Sequence, residues 1–376
     1  MMSKLKMKNY LNYIVIGIIT AVFAVITFTG GRIDSSTLFL LEKIAISIIL
    51  AVSLSLVVGF LGELSLGHAG FMCVGAYMSG KVASLLEAEL GNGVLTFIIS
   101  LIVGVSVAAV CGIIIGIPAL RLRGDYLAIV TLAFGEIVKS IFQNTSSESF
   151  GGAIGLDTPR FDKKYLFIIS FILVLVTLAV IQNFIRSKHG RAVTSIRDNE
   201  IASRASGINV TKYKLIAFTM SAAFAGVAGV LYSFSNYTVQ SAKFGYNYSI
   251  EMLVMVVLGG MGNINGSIIA ATLITFLNTK LATILTGDLA VLQNLLYALI
   301  LILIVIYNNA PALKSFRDRY NLSNLIKKIL KAKHDPSHPT DDAAKWDVVP
   351  TKIEMNEILS VDVTPQQNGP DKGGKK

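Results

Sequence analysis

The ionisable side chains that lie within or beside long apolar runs of the chain include Glu63, His68, Glu136 and Glu251. If those runs cross a membrane, an unpaired charge near the bilayer centre costs at least about 2.5 to 3.5 kcal/mol, so such residues are candidates for a translocation pathway. Glu63 and Glu251 lie near predicted helix ends, whereas Glu136 lies deeper. Hydrogen bonding within the bundle is the simpler explanation for His68, and pairing with another helix is the simpler one for Glu136.

Two segments combine clustered glycines with polar residues inside apolar runs. The first, VVGFLGELSLGHAG at 57–70, contains Ser65 and His68; the second, VVLGGMGNINGSIIA at 256–270, contains Gly259, Gly260 and Asn263. Transporters place broken helices near the substrate path, because freed backbone groups must face protein or water. We therefore predict glycine-broken helices beside a translocation pathway; the alternative is a pair of tight interhelical turns.

One stretch resembles a nucleotide-binding motif but does not satisfy it. GAYMSGKV at 75–82 matches the first seven positions of a phosphate-binding loop, but Val82 has no hydroxyl for magnesium and the match lies inside an apolar run. We expect any nucleotide-driven step to occur on another polypeptide. The sequence also has no recognisable nucleophile, base and orienter grouping and no metal-ligand set, so we predict a non-enzymatic chain without a cofactor or metal.

Composition indicates how these residues are held. The chain has 376 residues, of which 53% are hydrophobic and 15% charged, and its formal net charge is +10. Such a composition is typical of an integral membrane protein and not of a soluble domain. Because Lys and Arg cluster just outside the apolar runs, membrane orientation explains the charge better than nucleic-acid binding does, and no nucleic-acid partner is expected.

A spanning helix needs about 20 apolar residues, and ten segments are candidates. We therefore predict an all-α polytopic bundle of about ten spans. The eighth segment is too short unless residues from about Phe244 join it, so it either spans or is re-entrant. The ten are 10–29, 38–61, 64–85, 94–120, 126–142, 165–185, 215–234, 250–258, 264–285 and 289–307.

Small residues recur along two of these segments at the spacing that lets helix backbones approach closely. They are Gly112 and Gly116 in one segment, and Ser221, Ala225 and Gly229 in the other, with Ala222 and Gly226 beside them. Helix packing in lipid depends on such contacts. We predict that these residues serve packing.

The basic, mostly polar segment 187–215 is unusually long for a loop between membrane helices. The positive-inside rule places this loop and both termini in the cytoplasm, with the first apolar run retained as a helix. Residues 195–206 lack Pro and Gly and are predicted to form a helix that stops at Gly207 and Asn209. We predict a permease domain over 1–333, followed by a polar, disordered cytoplasmic tail over 334–376.

Four blocks of the sequence resemble one family, the LivM-type permease subunits of branched-chain amino acid ABC importers. They occur in the family's order within 38–307, and the second and third are the most specific. The blocks are GFLGELSLGHAGFMCVGAYMSG at 59–80, RLRGDYLAIVTLAFGEIV at 121–138, GRAVTSIRDNEIASRASGINVTKYKLIAFTMSAAFAGVAGVLYS at 190–233 and EMLVMVVLGGMGNINGS at 251–267.

The resemblance implies uptake of leucine, isoleucine and valine across a bacterial plasma membrane. It implies four kinds of partner besides the lipid bilayer: a second related permease, two cytoplasmic ABC ATPases and an extracytoplasmic amino-acid-binding protein. It also implies a cytoplasmic coupling helix, for which Glu200, Ala202 and Gly207 match, with Arg197 in the same loop. The spacing from Glu200 to Gly207 is one residue longer than in the commonest form of that motif.

Two other functions stay open at this point. Urea, sugar and nucleoside ABC permeases share much of this pattern, since the binding protein usually sets selectivity. An ion-driven secondary transporter or channel would also use broken helices, but it gives no reason for the long basic loop.

Overall fold

The computed structural model describes residues 34–284 apart from 92, 123 and 160, together with residues 17, 298, 299 and 302. Nearly all of the first and tenth predicted spans and the whole tail 334–376 lie outside the described residues.

The described residues are mostly helical. The first described helix, α1 (Ser35–Ser55), continues directly into a π-helical turn at Leu56–Leu61. Two short strands, β1 (Leu156–Asp157) and β2 (Thr238–Val239), pair antiparallel, and a 3₁₀ turn follows at Ser241–Phe244. The helices are α1 (Ser35–Ser55), α2 (His68–Leu90), α3 (Val94–Ala119), α4 (Asp125–Asn144), α5 (Ser147–Phe150), α6 (Lys163–Arg186), α7 (Lys188–Asp198), α8 (Glu200–Ala205), α9 (Val210–Asn236), α10 (Tyr246–Gly259) and α11 (Ile264–Ile284).

Six helices among the described residues are long and apolar enough to cross a membrane: α1 with its π-helical turn, α2, α3, α6, α9 and α11. They correspond to six of the ten predicted spans. The fifth and eighth predicted spans are the helices α4 and α10, which are not among the six. Helix α10 begins at Tyr246 and has 14 residues, so it is about 21 Å long and shorter than the hydrocarbon core. The count of ten stays a prediction.

Helices α1 and α9 lie at the centre of the bundle. Helix α1 packs against α6, α9, α10 and α11, and every residue from Ile44 to Gly59 is buried. Helix α9 packs against α1, α2 and α3. In contrast, α3 exposes a row of aliphatic side chains, which suits an outer helix facing lipid: Ile98, Ile102, Val110, Ile113, Ile114 and Ile117.

Small residues allow the close approach of α9 to its neighbours. A Cβ added at Gly226 would lie 2.6 Å from the Ala108 Cβ, and one added at Gly112 would lie 2.7 Å from the Ala222 Cβ. A Cβ added at Gly229 would collide with the carbonyl of Met72. The predicted packing role of these residues is therefore confirmed where α9 meets α2 and α3.

The basic loop folds as two helices, so the prediction of one continuous helix over 195–206 was wrong. Asn199 is extended, with φ −158° and ψ 105°, and this ends α7. The Asn199 side chain then accepts a hydrogen bond from the Ala202 N–H at 3.0 Å and caps α8. Ser187 and Asn209 cap α7 and α9 in the same way. The helix is therefore interrupted at Asn199, whose side chain caps α8, although residues 195–206 contain no Pro or Gly.

The structure does not confirm that glycines break a helix in either predicted segment. Residues 62–67 connect the π-helical turn to α2, and residues 260–263 connect α10 to α11. Both connections lie at the end of the bundle that carries α7 and α8, which we call the loop end. The opposite end, which carries the β1–β2 pair, is called the sheet end.

Candidate functional site

Arg197 of α7 contacts the end of α1. Its Nη1 donates a hydrogen bond to the carbonyl oxygen of Gly59 at 3.0 Å, while its Nε and Nη2 donate to Asp198. Gly59 belongs to the last helical turn, where carbonyl groups lack intrahelical donors. Arg197 therefore supplies a donor that the end of α1 needs and fastens α7 to it.

Gly62 leaves room for the stem of the same arginine. Its φ is +78°, and an added Cβ would lie 2.6 Å from the Arg197 Cγ. Glycine is thus required at this position both by the left-handed backbone and by the space that Arg197 occupies. The chain turns tightly against α7 as it leaves α1.

The two glycine-rich segments touch each other although about 200 residues separate them. A Cβ added at Gly59 would collide with the backbone nitrogen of Gly262 and would lie 3.0 Å from the Ser55 Oγ. A Cβ added at Gly262 would lie 3.6 Å from the Arg197 Nη1. The end of α1, the connection 260–263 and α7 therefore meet at one point.

Lys214 of α9 makes a second junction at the loop end. Its Nζ forms salt bridges with Glu63 and, at 3.2 Å, with Glu200 of α8. The Lys214 side chain is only 4% exposed, and Glu63 is 12% exposed. Glu200 also forms a salt bridge with Arg204 at 2.9 Å. A buried lysine between two carboxylates ties α9, α8 and the connection 62–67 together.

The outer side of α8 is open. Ala202 and Gly207 are exposed, and Ile201 is 78% exposed. Gly207 has φ +82°, yet an added Cβ there would meet no atom within 4 Å. The glycine is therefore needed for the backbone turn and not for space.

The glycines between α10 and α11 make a tight connection. A Cβ at Gly259 would collide with the backbone of Gly266 and Ser267, and Gly260 has φ +89°. The Asn263 Oδ1 accepts a hydrogen bond from the Gly266 N–H at 3.3 Å and so caps α11. These residues position the segment that meets Gly59 and α7.

The remaining predicted site residues lie apart from this junction or inside the bundle. His68 is buried at the start of α2, with its Nε2 2.8 Å from the Ser53 Oγ, and Ser65 is also buried. Glu136 forms a salt bridge with Lys139 on its own helix at 2.9 Å and accepts a hydrogen bond from the Tyr246 N–H at 2.7 Å. Glu136 therefore stabilises the start of α10.

Glu251 lies elsewhere again. It is eight residues before Gly259 on α10, which is about 12 Å along the helix. Its Oε1 accepts a hydrogen bond from Asn278 of α11 at 3.1 Å. The structure thus brings Glu63, Arg197, Glu200 and the 260–263 connection together, and leaves Glu136 and Glu251 outside that junction.

The comparisons with known proteins identify the family. The family model for the branched-chain amino acid transport system / permease component matches residues 36–306. The chain belongs to this permease family.

Three curated relatives illustrate the similarity. The permease is 38% identical over 276 residues to the high-affinity branched-chain amino acid transport system permease protein LivM of Salmonella typhimurium, and equally to that of Escherichia coli. Each match covers 65% of this chain and 62% of the relative, so the chain spans less than two thirds of those relatives. The ribose import permease protein RbsC of Escherichia coli is 26% identical over 310 residues, which cover 78% of this chain and 92% of the relative. No solved structure gives a significant match.

Family membership and the six apolar helices make this permease a multi-pass membrane protein. Sequence reasoning did not single out Lys214, which lies within the basic segment 187–215. The sequence pattern that could have found it is the helical spacing of Lys214 with the small and apolar residues Ala217, Phe218, Ser221 and Ala225. In the structure all five residues are buried. A lysine in register with the buried face of a helix predicts a buried partner.

Proposed function

We propose that the chain is the membrane-spanning, non-catalytic subunit of an ABC importer that moves leucine, isoleucine and valine into the cytoplasm. The observation that carries this proposal is the family match over residues 36–306. The names of the LivM relatives support the substrate class. The chain would act in the bacterial plasma membrane, with both termini in the cytoplasm, the permease domain over 1–333 and the tail over 334–376.

The proposed partners are a second related permease, two ABC ATPases and an extracytoplasmic binding protein. The need for a separate motor is supported by the segment GAYMSGKV, which lies in the middle of α2. Its backbone N–H groups are committed to helical hydrogen bonds, so they cannot surround a phosphate as a glycine-rich loop does. ATP would therefore be hydrolysed on partner subunits.

The loop end supplies the surface for those ATPases in this proposal. The exposed side of α8, with Ile201, Ala202 and Gly207, would contact an ATPase. The inner side of the same loop is fastened to the bundle through Arg197 and Lys214. A displacement of α7 and α8 would therefore reach the ends of α1 and α9 directly.

The mechanism follows from these attachments. Closure of the ATPase pair on ATP would move α7 and α8 as a body, because Ser203 and Ser195 join them with a hydrogen bond at 3.2 Å. Arg197 and Lys214 would pass the motion to α1, α9 and the 260–263 connection. The bundle would then change between outward and inward openings.

Uptake by the complete complex in reconstituted vesicles tests the function. Leucine uptake should require both ATP and the loaded binding protein, and it should not change when ion gradients are collapsed. Uptake that follows an ion gradient without ATP would instead establish a secondary transporter. Binding of leucine, isoleucine, valine and urea to the partner binding protein would decide between the amino-acid and urea alternatives.

Two substitutions test the coupling role of α8. Glu200→Lys places a cation beside Lys214 and Arg204, and Gly207→Leu puts a branched side chain at φ +82°. Both variants should insert into the membrane and lose transport, with a loss of ATPase stimulation by the binding protein. Normal transport with normal ATPase coupling in both variants would contradict this role.

A further inference from the structure

A cavity of about 610 Å³ opens between helices at the sheet end of the bundle. Its lining comes from the first half of α1, the end of α9, the 3₁₀ turn, α10 and the last turns of α11. Ser36 and Ser47 of α1 both line it, so it extends about 16 Å along that helix. The volume falls within the range of about 300 to 1,000 Å³ of pockets that hold small molecules.

The cavity contains charges of both signs. Lys43 and Lys243 line it together with Glu251, so two cationic side chains and one anionic side chain border the same space. The Lys43 Nζ lies over the ring of Phe39, 4.6 Å from its centroid. A charged group within a membrane helix, such as Lys43 in α1, is costly and is therefore a candidate for a functional role.

The rest of the lining includes an apolar surface. Phe39, Ile46, Phe244 and Met255 line the cavity, and all of these except Phe39 are almost completely buried. The combination of an apolar wall with a few polar groups is characteristic of small-molecule sites.

We propose that this cavity binds an α-amino acid as its zwitterion on the way through the membrane. Lys43 and Lys243 would hold the α-carboxylate, Glu251 would hold the α-ammonium group, and an aliphatic side chain would lie against Phe39, Ile46 and Met255. This site deepens the proposed function and rests on it, because it names the chemical form of the transported solute within this subunit.

Charge complementarity favours a zwitterion over a neutral solute. A free amino acid brings one anionic and one cationic group, each of which can form a charge-assisted hydrogen bond with a side chain already present in the cavity. Urea or a sugar carries no charge and would therefore form no ion pair with Lys43, Lys243 or Glu251.

The position of the cavity also fits receipt of substrate. At the loop end, the π-helical turn that ends α1 contacts Arg197, and α9 carries Lys214. At the sheet end, Phe39 of α1 and Tyr232 of α9 line the cavity. The cavity is therefore opposite α7 and α8. With the ATPases at the loop end, it would face the side on which a binding protein delivers amino acids.

The substitution Glu251→Gln tests whether the charge of Glu251 binds substrate or whether the residue only stabilises the fold. The amide oxygen of glutamine can still accept the hydrogen bond from Asn278, but the negative charge is lost. In vesicles that contain the complete complex, leucine uptake at subsaturating concentration should fall about 10- to 100-fold. ATP hydrolysis stimulated by the loaded binding protein should stay near the wild-type rate, because the loop end is unchanged.

Lys43 provides the second arm of the same experiment. Lys43→Met should lower uptake by a similar factor, and Lys43→Arg, which keeps the charge, should restore most of it. Glu148→Gln is the matched control, since Glu148 is an exposed acid in α5 at the same end of the bundle and does not line the cavity. Its uptake should equal that of the wild type.

The outcomes distinguish this site from the proposed function. If the wild-type complex takes up leucine and Glu251→Gln and Lys43→Met take it up equally well, the cavity is not the zwitterion site, whereas the permease function stands. If the wild-type complex assembles and takes up no branched-chain amino acid, both proposals fail.

Chemical labelling keeps the proposal testable if the charge variants fail to assemble. In a Cys111→Ala background, Thr279→Cys places a thiol in the cavity, and Lys280→Cys places one on the adjacent exposed position. A bulky maleimide at position 279 should block leucine uptake, and the same reagent at position 280 should not. Unchanged uptake after labelling at 279 would overturn the site.

Discussion

Lys214 is a cation held between two carboxylates in a part of the bundle from which water is largely excluded. Its side chain is 4% exposed, and it contacts Glu63 and Glu200. Removing one member of such a group leaves charge that is neither solvated nor paired, which is far more costly than losing a surface salt bridge. The contact therefore matters for stability as well as for the proposed transmission.

Lys214→Met should destabilise the permease by about 3 kcal/mol, because Glu63 loses its buried cation. Lys212→Met is the matched control, since Lys212 is exposed two residues earlier in α9, and it should change stability by less than about 0.5 kcal/mol. Thermal unfolding of the purified proteins in detergent measures both. Adding Glu63→Gln to Lys214→Met should recover part of the loss. Identical melting temperatures for the wild type and Lys214→Met would show that the lysine is not essential to the junction.

At the scale of elements, α9 approaches α3 closely because small residues face each other. Gly226 and Gly135 lie inside helices, but their surroundings differ. A Cβ added at Gly226 would lie 2.6 Å from the Ala108 Cβ, whereas one at Gly135 would meet nothing closer than 3.8 Å. Alanine substitutions at these two glycines can therefore distinguish the effect of helix propensity from the effect of helix packing.

Gly226→Ala should destabilise the bundle by about 1 to 3 kcal/mol, because α3 and α9 must move apart. Gly135→Ala should be neutral or stabilising by up to about 1 kcal/mol, since alanine favours the helix and the space is free. Melting temperatures in detergent give the comparison. A Gly226→Ala variant as stable as Gly135→Ala would mean that α3 and α9 can accommodate a methyl group at position 226 without moving apart.

Sequence patterns predicted the elements better than their ends and contacts. Apolar length alone located the six helices that are long enough to span, because lipid requires that pattern. The sequence did not reveal the break at Asn199, because residues 195–206 contain no Pro or Gly and the break depends on a capping side chain. Nor did it predict that Gly59 contacts Gly262, since a contact between segments so distant in sequence leaves no local periodicity.

At the scale of the whole molecule, the described helices separate two regions with different chemistry. The loop end carries exposed α8 and the junctions of Arg197 and Lys214, and the sheet end carries the cavity with Lys43 and Glu251. Helices α1 and α9 extend between these regions and are packed along their lengths. An importer needs this separation, because ATPases and binding protein act from opposite sides of the membrane.

Two exposed isoleucines allow a test of that polarity. Ile201 in α8 at the loop end is 78% exposed, and Ile154 at the sheet end is 77% exposed. An apolar side chain exposed on a docking surface is expected to be buried by its partner, so a charge placed there should oppose association. Ile201→Arg should therefore greatly reduce copurification of the ATPase subunits with the permease. Ile154→Arg should leave ATPase copurification unchanged, since the sheet end would face the other side of the membrane. Loss of the ATPases with Ile154→Arg but not with Ile201→Arg would reverse the proposed orientation, and it would place the zwitterion cavity on the cytoplasmic side.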